Sequence, residues 1–468
     1  MGDCYTGFSV LGGTGSGKTS SLASLALAFM ALRCGFVWCC AKPDEVHLVR
    51  RLARAAKRED DLMIFGRDPD KPPAGPGDSL LSEMTPLRFN AIDYESKRRG
   101  GTLSLVQYMT EVAKSVSRAK AEQSGSAEGP FWRDQFEMLT AYCIDAAHLA
   151  GMPLSIQLLR DIQKTAPTNP DQLGSEAWRE KSILLACMRR AEERVNAGQV
   201  AERDLTRVLD YWMKDYFTLD PKPRTSIDVM FAKLADEYSR DPVHTLLSTE
   251  TNFTPEDAMN GKIIVLNLPT RAYFVPGRMA QFHFKYSFQR SMLQRDTTQG
   301  ELRPVVLWCD EAHNFISDFD KDYFAEARSF KSIGCYLEQG IAGYETALGT
   351  HSDKAVDAFL TNLQTKLFFQ NSSPESNRYA AEVIGRKLTE REGGGSSSAS
   401  GGAGSQGSVS WHEEMDYQVQ PRELSELKTG GYEHDRLVEA YVYKRGTIFN
   451  ATGQNFIKAT FEQTDLTR

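Results

Sequence analysis

Eight residues near the start of the chain, Gly12-Gly13-Thr14-Gly15-Ser16-Gly17-Lys18-Thr19, allow very few backbones. The glycines let the main chain bend tightly with its amides uncovered, because no Cβ blocks left-handed conformations or the approach of a bulky anion. An apolar run at 7–11 precedes the bend, and apolar residues at helical spacing follow from Ser20 onward. The bend therefore joins a buried strand to a helix whose N-terminus faces the loop. With Lys18 and Thr19 at its end this unit is a phosphate-binding loop, or P-loop. The lysine reaches the β- and γ-phosphates of a nucleotide, and the threonine hydroxyl serves Mg²⁺. Gly12, Gly13, Thr14, Gly15, Ser16, Gly17, Lys18, Thr19 and the adjoining Ser20 are the expected contacts for ATP.

A P-loop needs a sheet to stand on, and the sequence supplies one. Short, continuous apolar runs recur at 35–40, 61–65, 262–268, 304–309, 334–337 and 366–370. Runs without alternation suit parallel strands covered by helices on both faces. The fold class expected is α/β, a RecA-like core with a mostly parallel central sheet. Between about 101 and 250 strand signals vanish and helical spacing takes over, as in Leu105, Met109, Val112 and Val116 and again in Phe131, Phe136, Leu139, Cys143, Ala146 and Leu149. That stretch reads as an all-α domain inserted into the core. The chain then divides into 1–100, the first part of the core; 101–250, the insertion; 251–392, the second part of the core; 393–408, a flexible Gly/Ser-rich loop; and 409–468, a strand-rich extension.

With 468 residues, 41% of them apolar, the chain has ample material for such a core. Its net charge of -7 excludes a uniformly basic nucleic-acid coat, though not a charged channel. Eight cysteines form no C-x-x-C pair and read as reduced, buried hydrophobes. No apolar run reaches the roughly 18 to 20 residues a membrane span requires. A cytoplasmic protein is expected, peripheral at the inner membrane only through partners.

The chemistry beyond the P-loop rests on a few polar residues at strand ends. Pro304-Val305-Val306-Leu307-Trp308-Cys309 runs directly into Asp310-Glu311. Such a pair is either an acidic helix cap or the partner that every P-loop requires, with Asp310 ordering Mg²⁺ and Glu311 polarising the attacking water. The presence of the P-loop favours the second. Arg328 follows an acidic helical segment, and Gln339 closes the run Gly334-Cys335-Tyr336-Leu337-Glu338. Taken alone they are a solvated arginine and a polar strand end. His313 lacks a histidine partner and reads as a packing or capping residue.

Taken together, these motifs carry a resemblance. The P-loop and Asp310-Glu311 are joined by Phe36-Val37-Trp38-Cys39-Cys40-Ala41-Lys42-Pro43-Asp44-Glu45 and by Arg88-Phe89-Asn90-Ala91-Ile92-Asp93-Tyr94. Further on come Glu326-Ala327-Arg328-Ser329-Phe330 and Thr361-Asn362-Leu363-Gln364-Thr365-Lys366-Leu367-Phe368-Phe369. The set resembles the TraD/TraG-like coupling proteins of type IV secretion, conjugative DNA-transfer ATPases of the FtsK/HerA branch. The resemblance implies a homohexameric motor that hydrolyses ATP between subunits and works with a relaxase or relaxosome and with secretion-channel proteins. It makes Arg328 the trans-acting arginine and Gln339 the sensor glutamine. The alternative is an ATPase that powers assembly of, or protein export by, a secretion apparatus without moving DNA. Relatives usually begin with membrane-spanning helices, and they commonly carry a small or hydroxyl residue where Glu338 stands. No base-reading motif is visible, so DNA is expected to be held through its phosphates, without sequence specificity. Candidate contacts are Lys354 and the basic surface around Arg50, Arg51, Arg54, Lys57 and Arg58.

Overall fold

The computed structural model describes residues 2–121, 130–298, 300–349, 353–396 and 407–463. Within them lie strands β1 (Phe8–Leu11), β2 (Gly35–Cys39), β3 (Leu62–Gly66), β4 (Ile263–Asn267), β5 (Val305–Cys309), β6 (Ser332–Glu338), β7 (Thr365–Phe369), β8 (Arg386–Ser396), β9 (Gly407–Tyr417), β10 (Leu437–Lys444) and β11 (Phe456–Glu462). The seven continuous apolar runs of the sequence are β1 to β7. Every residue of β1, β2, β4, β5, β6 and β7 is buried, which is why they show no polar alternation.

The chain forms two compact units. One comprises Met1–Arg33, Ala55–Lys57 and Val306–Arg468. Its strands run in the order β11-β10-β7-β1-β6-β5. The pairs of β1 with β6 and with β7 are parallel, with Leu11 opposite both Glu338 and Phe368. β10 returns antiparallel to β7, and β11 antiparallel to β10. The residues that follow β1, β6 and β7 therefore emerge at one edge of the sheet, where the crevice of an open α/β fold binds its ligand.

In the same unit β8 and β9 form a separate antiparallel ribbon, in register from Arg386 opposite Tyr417 to Ser396 opposite Gly407. Both ends of the Gly/Ser-rich run expected as a loop thus extend the ribbon, because ladder bonds use main-chain groups and need no side chain to bury. Positions 397–406 of that run lie outside the described residues.

The other unit comprises Cys34–Arg54 and Arg58–Val305. Here β4 lies between β2 and β3, parallel to both. Helices occupy the stretch from Gly101 to Leu247 without a strand among its described residues. Pro130–Leu149 packs against Gly101–Ala121, Ile156–Lys164, Ile183–Asn196 and Pro221–Glu237. Of the apolar stripe, Leu105, Met109, Val112, Phe136, Leu139, Cys143 and Ala146 are buried there, Leu149 is half-buried, and the side chains of Val116 and Phe131 lie outside the described residues.

The long helix Thr270–Met292 that follows β4 is pinned to this bundle by His283. Its Nδ1 meets the Tyr108 hydroxyl at 2.5 Å, and its Nε2 meets the Tyr238 hydroxyl. Burial pulls the His283 pKa down to about 3, so the ring is a neutral structural link. Among the described residues no helix is long and apolar enough to cross a membrane.

A buried lysine lies near the start of β7, at the end of the strand away from the site edge. Lys366, the second residue of the buried β7, donates from Nζ to the carbonyls of Leu360 and of Leu363, the latter at 3.0 Å. These carbonyls end the helix Asp353–Asn362, where a positive charge is favoured. Burial nevertheless lowers the lysine pKa to about 8 from its ordinary value of 10.5.

The unfolded chain then holds more protons than the native chain between these two values, so stability rises as pH increases through that window. Unfolding free energy measured by denaturant titration should climb from pH 8 to about 10.5 by up to about 3 kcal/mol more in the native sequence than in Lys366→Met. Parallel pH curves for the two proteins would contradict this account of Lys366.

Candidate active site

Four strand ends build the site, all within the unit that holds the P-loop. After β1 the loop turns through Gly12 to Gly17 and enters the helix Lys18–Ala31, with Gly17 in the left-handed region at φ 82°. A Cβ on Gly17 would lie 2.7 Å from Val438 on β10, and one on Gly12 would lie 2.6 Å from Phe369 on β7. The glycines are thus required from below as well as from above, since neighbouring strands press against the loop. Its first two amides are anchored to the next strand ends. Gly12 N–H donates to the Glu338 carbonyl at 3.2 Å, and Gly13 N–H donates to the Gln370 carbonyl at 2.7 Å.

The residues singled out from the sequence divide into a converging set and one outlier. Thr19 Oγ1 donates to Asp310 Oδ2 at 2.7 Å, joining P-loop helix to the end of β5. Thr14 Oγ1 donates to Gln339 Oε1 at 3.0 Å, joining the loop apex to the end of β6. Lys18, 9% exposed, folds back so that Nζ donates to the carbonyls of Gly12 and of Gly13, the latter at 3.0 Å. Ser20 Oγ donates to the Gly17 carbonyl at 3.0 Å and accepts from Gln463 Nε2 at 2.8 Å. Ser16 Oγ, inside the loop, is buried without a hydrogen-bond partner.

Asp310 and Glu311 are both buried, and Glu311 adopts φ 49° and ψ 57°. A left-handed glutamate costs on the order of 1 kcal/mol, and such strain gathers at functional sites. Here the turn is held by Asp310 Oδ1, which accepts from Glu311 N–H at 2.9 Å, and by Asn314, whose N–H and Nδ2 both donate to the Glu311 carbonyl.

Arg328 is the outlier. It lies in the short 3₁₀ turn Ala327–Phe330 at the opposite end of β6, about 20 Å of extended strand from Glu338. Its side chain is exposed and makes no hydrogen bond or ion pair with the described residues. It cannot reach the P-loop of its own chain.

Glu338, Gln370 and Asn371 belong to the site as well. Glu338 is 2% exposed, with its carboxylate bonded to both Gln339 and His313. Asn371 Nδ2 donates to the Gln339 carbonyl at 2.7 Å. A sequence signal for Gln370 and Asn371 existed: β5, β6 and β7 each end in an apolar run that breaks into a polar doublet, namely Asp310-Glu311, Glu338-Gln339 and Gln370-Asn371. Nothing in the sequence marked Gln463, which follows β11 and touches Ser20 only through tertiary folding.

The basic surface offered for DNA does not survive in the form expected. Arg50 is held by Asp70 through two bonds of 2.6 and 2.7 Å, Arg54 by Glu59 at 2.6 Å, and Arg58 is buried on Asp61 and the Cys34 carbonyl. Acidic residues close in sequence neutralise three of its cations, whereas Lys354 remains exposed.

Residues 304–429, which carry Asp310, Glu311, Arg328 and Gln339, match the family model described as the TraM recognition site of TraD and TraG. Over 99% of its length the chain shares its fold with 86% of the bacterial conjugative coupling protein TrwBdeltaN70 in an unbound form, at TM-score 0.60 and 14% identity. Over residues 304–429 the chain is thus similar to TraD and TraG. Plasmid coupling protein TrwB in complex with the GTP analogue GDPNP gives the same figures. TrwB in complex with ADP and Mg²⁺ matches at TM-score 0.56 and 14% identity, over 99% of this chain and 86% of that one. No curated protein sequence matches. The chain therefore has the RecA-like P-loop fold with a helical domain.

Gly17 gives the sharpest test of the loop geometry. Gly17→Ala combines a positive φ with a 2.7 Å clash against Val438. Titration with a fluorescent nucleotide should show affinity reduced by about tenfold or more, while Gly15→Ala, whose Cβ meets nothing within 4 Å, loses less.

Proposed function

We propose that this chain is the ATP-hydrolysing subunit of a ring-shaped motor that moves DNA in conjugative transfer. The observation that carries the hydrolytic half is the Thr19–Asp310 bond, which brings the P-loop helix and the carboxylate doublet of β5 together with Glu311 alongside.

The residues fit a nucleotide with its metal. The loop is free of side chains at Gly12 and Gly17, Ser16 Oγ is buried and unpartnered, and Lys18 is bonded to loop carbonyls that a phosphate can replace. Thr19 and Asp310 are the groups that would hold Mg²⁺, which when bound supplies positive charge at the phosphate oxygens. The loop amides and Lys18 bind and orient the phosphates. Glu311, directed by its left-handed backbone, polarises a water and accepts its proton. Gln339, hydrogen-bonded to Thr14 at the loop apex, is placed to respond to the terminal phosphate.

Arg328 supplies the argument for a ring. An exposed, unpaired guanidinium at the far end of β6 serves a P-loop only if that loop belongs to a neighbouring subunit, where it stabilises charge in the transition state. DNA as the cargo is supported by the fold shared with TrwB, a bacterial conjugative and plasmid coupling protein. Contacts are assigned to phosphates rather than to bases.

Three outcomes test this reading. Lys18→Ala should weaken nucleotide binding by about 10- to 100-fold, as expected for charge-assisted hydrogen bonds, whereas Glu311→Gln should keep its nucleotide and lose at least about 100-fold in turnover. Arg328→Ala should lose roughly 1000-fold in turnover and regain part of it when mixed with Lys18→Ala, since each mutant supplies what the other lacks. In the wild-type protein, ATP turnover should rise on adding DNA and fall back as salt is raised. Turnover indifferent to DNA would favour a motor that acts on protein.

A further inference from the structure

Glu338 is a buried carboxylate for which the reaction just described has no use, and it stands between two groups that the reaction does use. Its Oε1 accepts from the Gln339 N–H at 2.8 Å. Its Oε2 accepts from the His313 N–H at 2.8 Å and faces His313 Nδ1 at 2.9 Å. Its main-chain carbonyl accepts from Gly12 N–H, the first amide of the P-loop. The side chain fits because residue 343 is glycine, where a Cβ would lie 2.7 Å from the Glu338 carboxyl carbon.

The contacts continue beyond His313. Asn314 Nδ2 lies 3.1 Å from His313 Nε2 and 3.1 Å from the Glu311 carbonyl, and an amide nitrogen can only donate to both. His313 Nε2 is therefore the acceptor, and Nδ1 carries the proton given to Glu338. An unbroken chain of hydrogen bonds runs from the Gln339 main chain through Glu338, His313 and Asn314 to the carbonyl of Glu311, the residue held in a strained backbone. A network anchored on a buried carboxylate in this way is rigid only while every member keeps its partner.

Resting on the assignment of Glu311 and Gln339 to hydrolysis, we propose that Glu338 is a positioning residue. It locks the turn that carries Glu311 to the strand end that carries Gln339, so that a shift of the glutamine on loss of the terminal phosphate is transmitted to the residue that polarises water. Glu338 touches no reacting atom in this arrangement. Its contribution is to kcat, through the orientation of Glu311, and not to the affinity of the loop for nucleotide.

Steady-state ATP turnover and fluorescent-ADP binding on Glu338→Gln, His313→Ala and the double variant test this. The amide keeps the shape of Glu338 but turns an acceptor into a donor facing the N–H groups of His313. The expected result is a fall in kcat of about tenfold or more in each single variant, with ADP affinity within about twofold of wild type. The double variant should fall no further than either single one, because both break the same chain. Unchanged kcat, a loss of affinity in proportion to kcat, or additive losses would each overturn the proposal. If Glu338→Gln fails to fold, His313→Ala alone decides, since it leaves Glu338 in place. Glu311→Gln serves as the reference: if it retains turnover, the assignment of Glu311 is wrong, and if it is inactive while the Glu338 and His313 variants turn over normally, only the coupling is wrong.

Discussion

A phosphate can be wrapped by main-chain amides only where side chains stay out of the way, and the neighbourhood of the P-loop is arranged around that demand. Gly17 sits under Val438, and Gly12 sits against Phe369, so strands from the far end of the sequence close on the loop at van der Waals distance. The amides of Gly12 and Gly13 are committed to the carbonyls of Glu338 and Gln370, which sets the loop against the ends of β6 and β7. Parallel pairing of β1 with both strands makes this possible, because it delivers their C-terminal ends to the same edge.

At that edge the sheet changes character within one residue. Strands whose every side chain is apolar and buried, such as Val305–Cys309, give way to the buried carboxylates of Asp310, Glu311 and Glu338 and to the more exposed amide of Gln339, which are engaged with neighbouring polar groups. Thr19 with Asp310, Thr14 with Gln339, and Glu338 with His313 are three such links. Buried polar groups are costly when unpaired, so the network leaves few places for a side chain to move independently. Ser16 Oγ is the exception inside the loop, an unpartnered hydroxyl where a phosphate oxygen would be accommodated. Arg328, exposed and at the opposite end of β6, contrasts with all of them.

The helical bundle has its own internal anchor. Burial holds His283 neutral, and its two ring nitrogens meet tyrosines from two different helices, so one imidazole sets the relation of Gly101–Ala121 and Pro221–Glu237 to the long helix Thr270–Met292. Outside the bundle, the arginines of Glu45–Ala55 and the turn after it illustrate how a run of like charges misleads when its counter-ions are ignored. Asp61, Glu59 and Asp70 lie within twenty positions of the arginines they neutralise.

Much of this was legible in the amino acids. Glycine spacing, the apolar runs and the position of Lys18 and Thr19 dictated strand, loop and helix, because local sterics and burial leave a chain of that composition little else to do. The same reasoning located Asp310 and Glu311 at a strand end and identified the helical insertion by its period. What only tertiary structure decided was which strand ends become neighbours. Glu338 looked like a departure from the expected residue, yet it proves to hold His313 and Gln339 together. Gln370 reaches Gly13 of the loop and Gln463 reaches Ser20 just after it from positions hundreds of residues away, and Asn371 joins them through the Gln339 carbonyl. Hydrogen bonds are made between whatever groups the sheet order places within 3 Å, and strand order is a property of the folded chain as a whole, which no local pattern records.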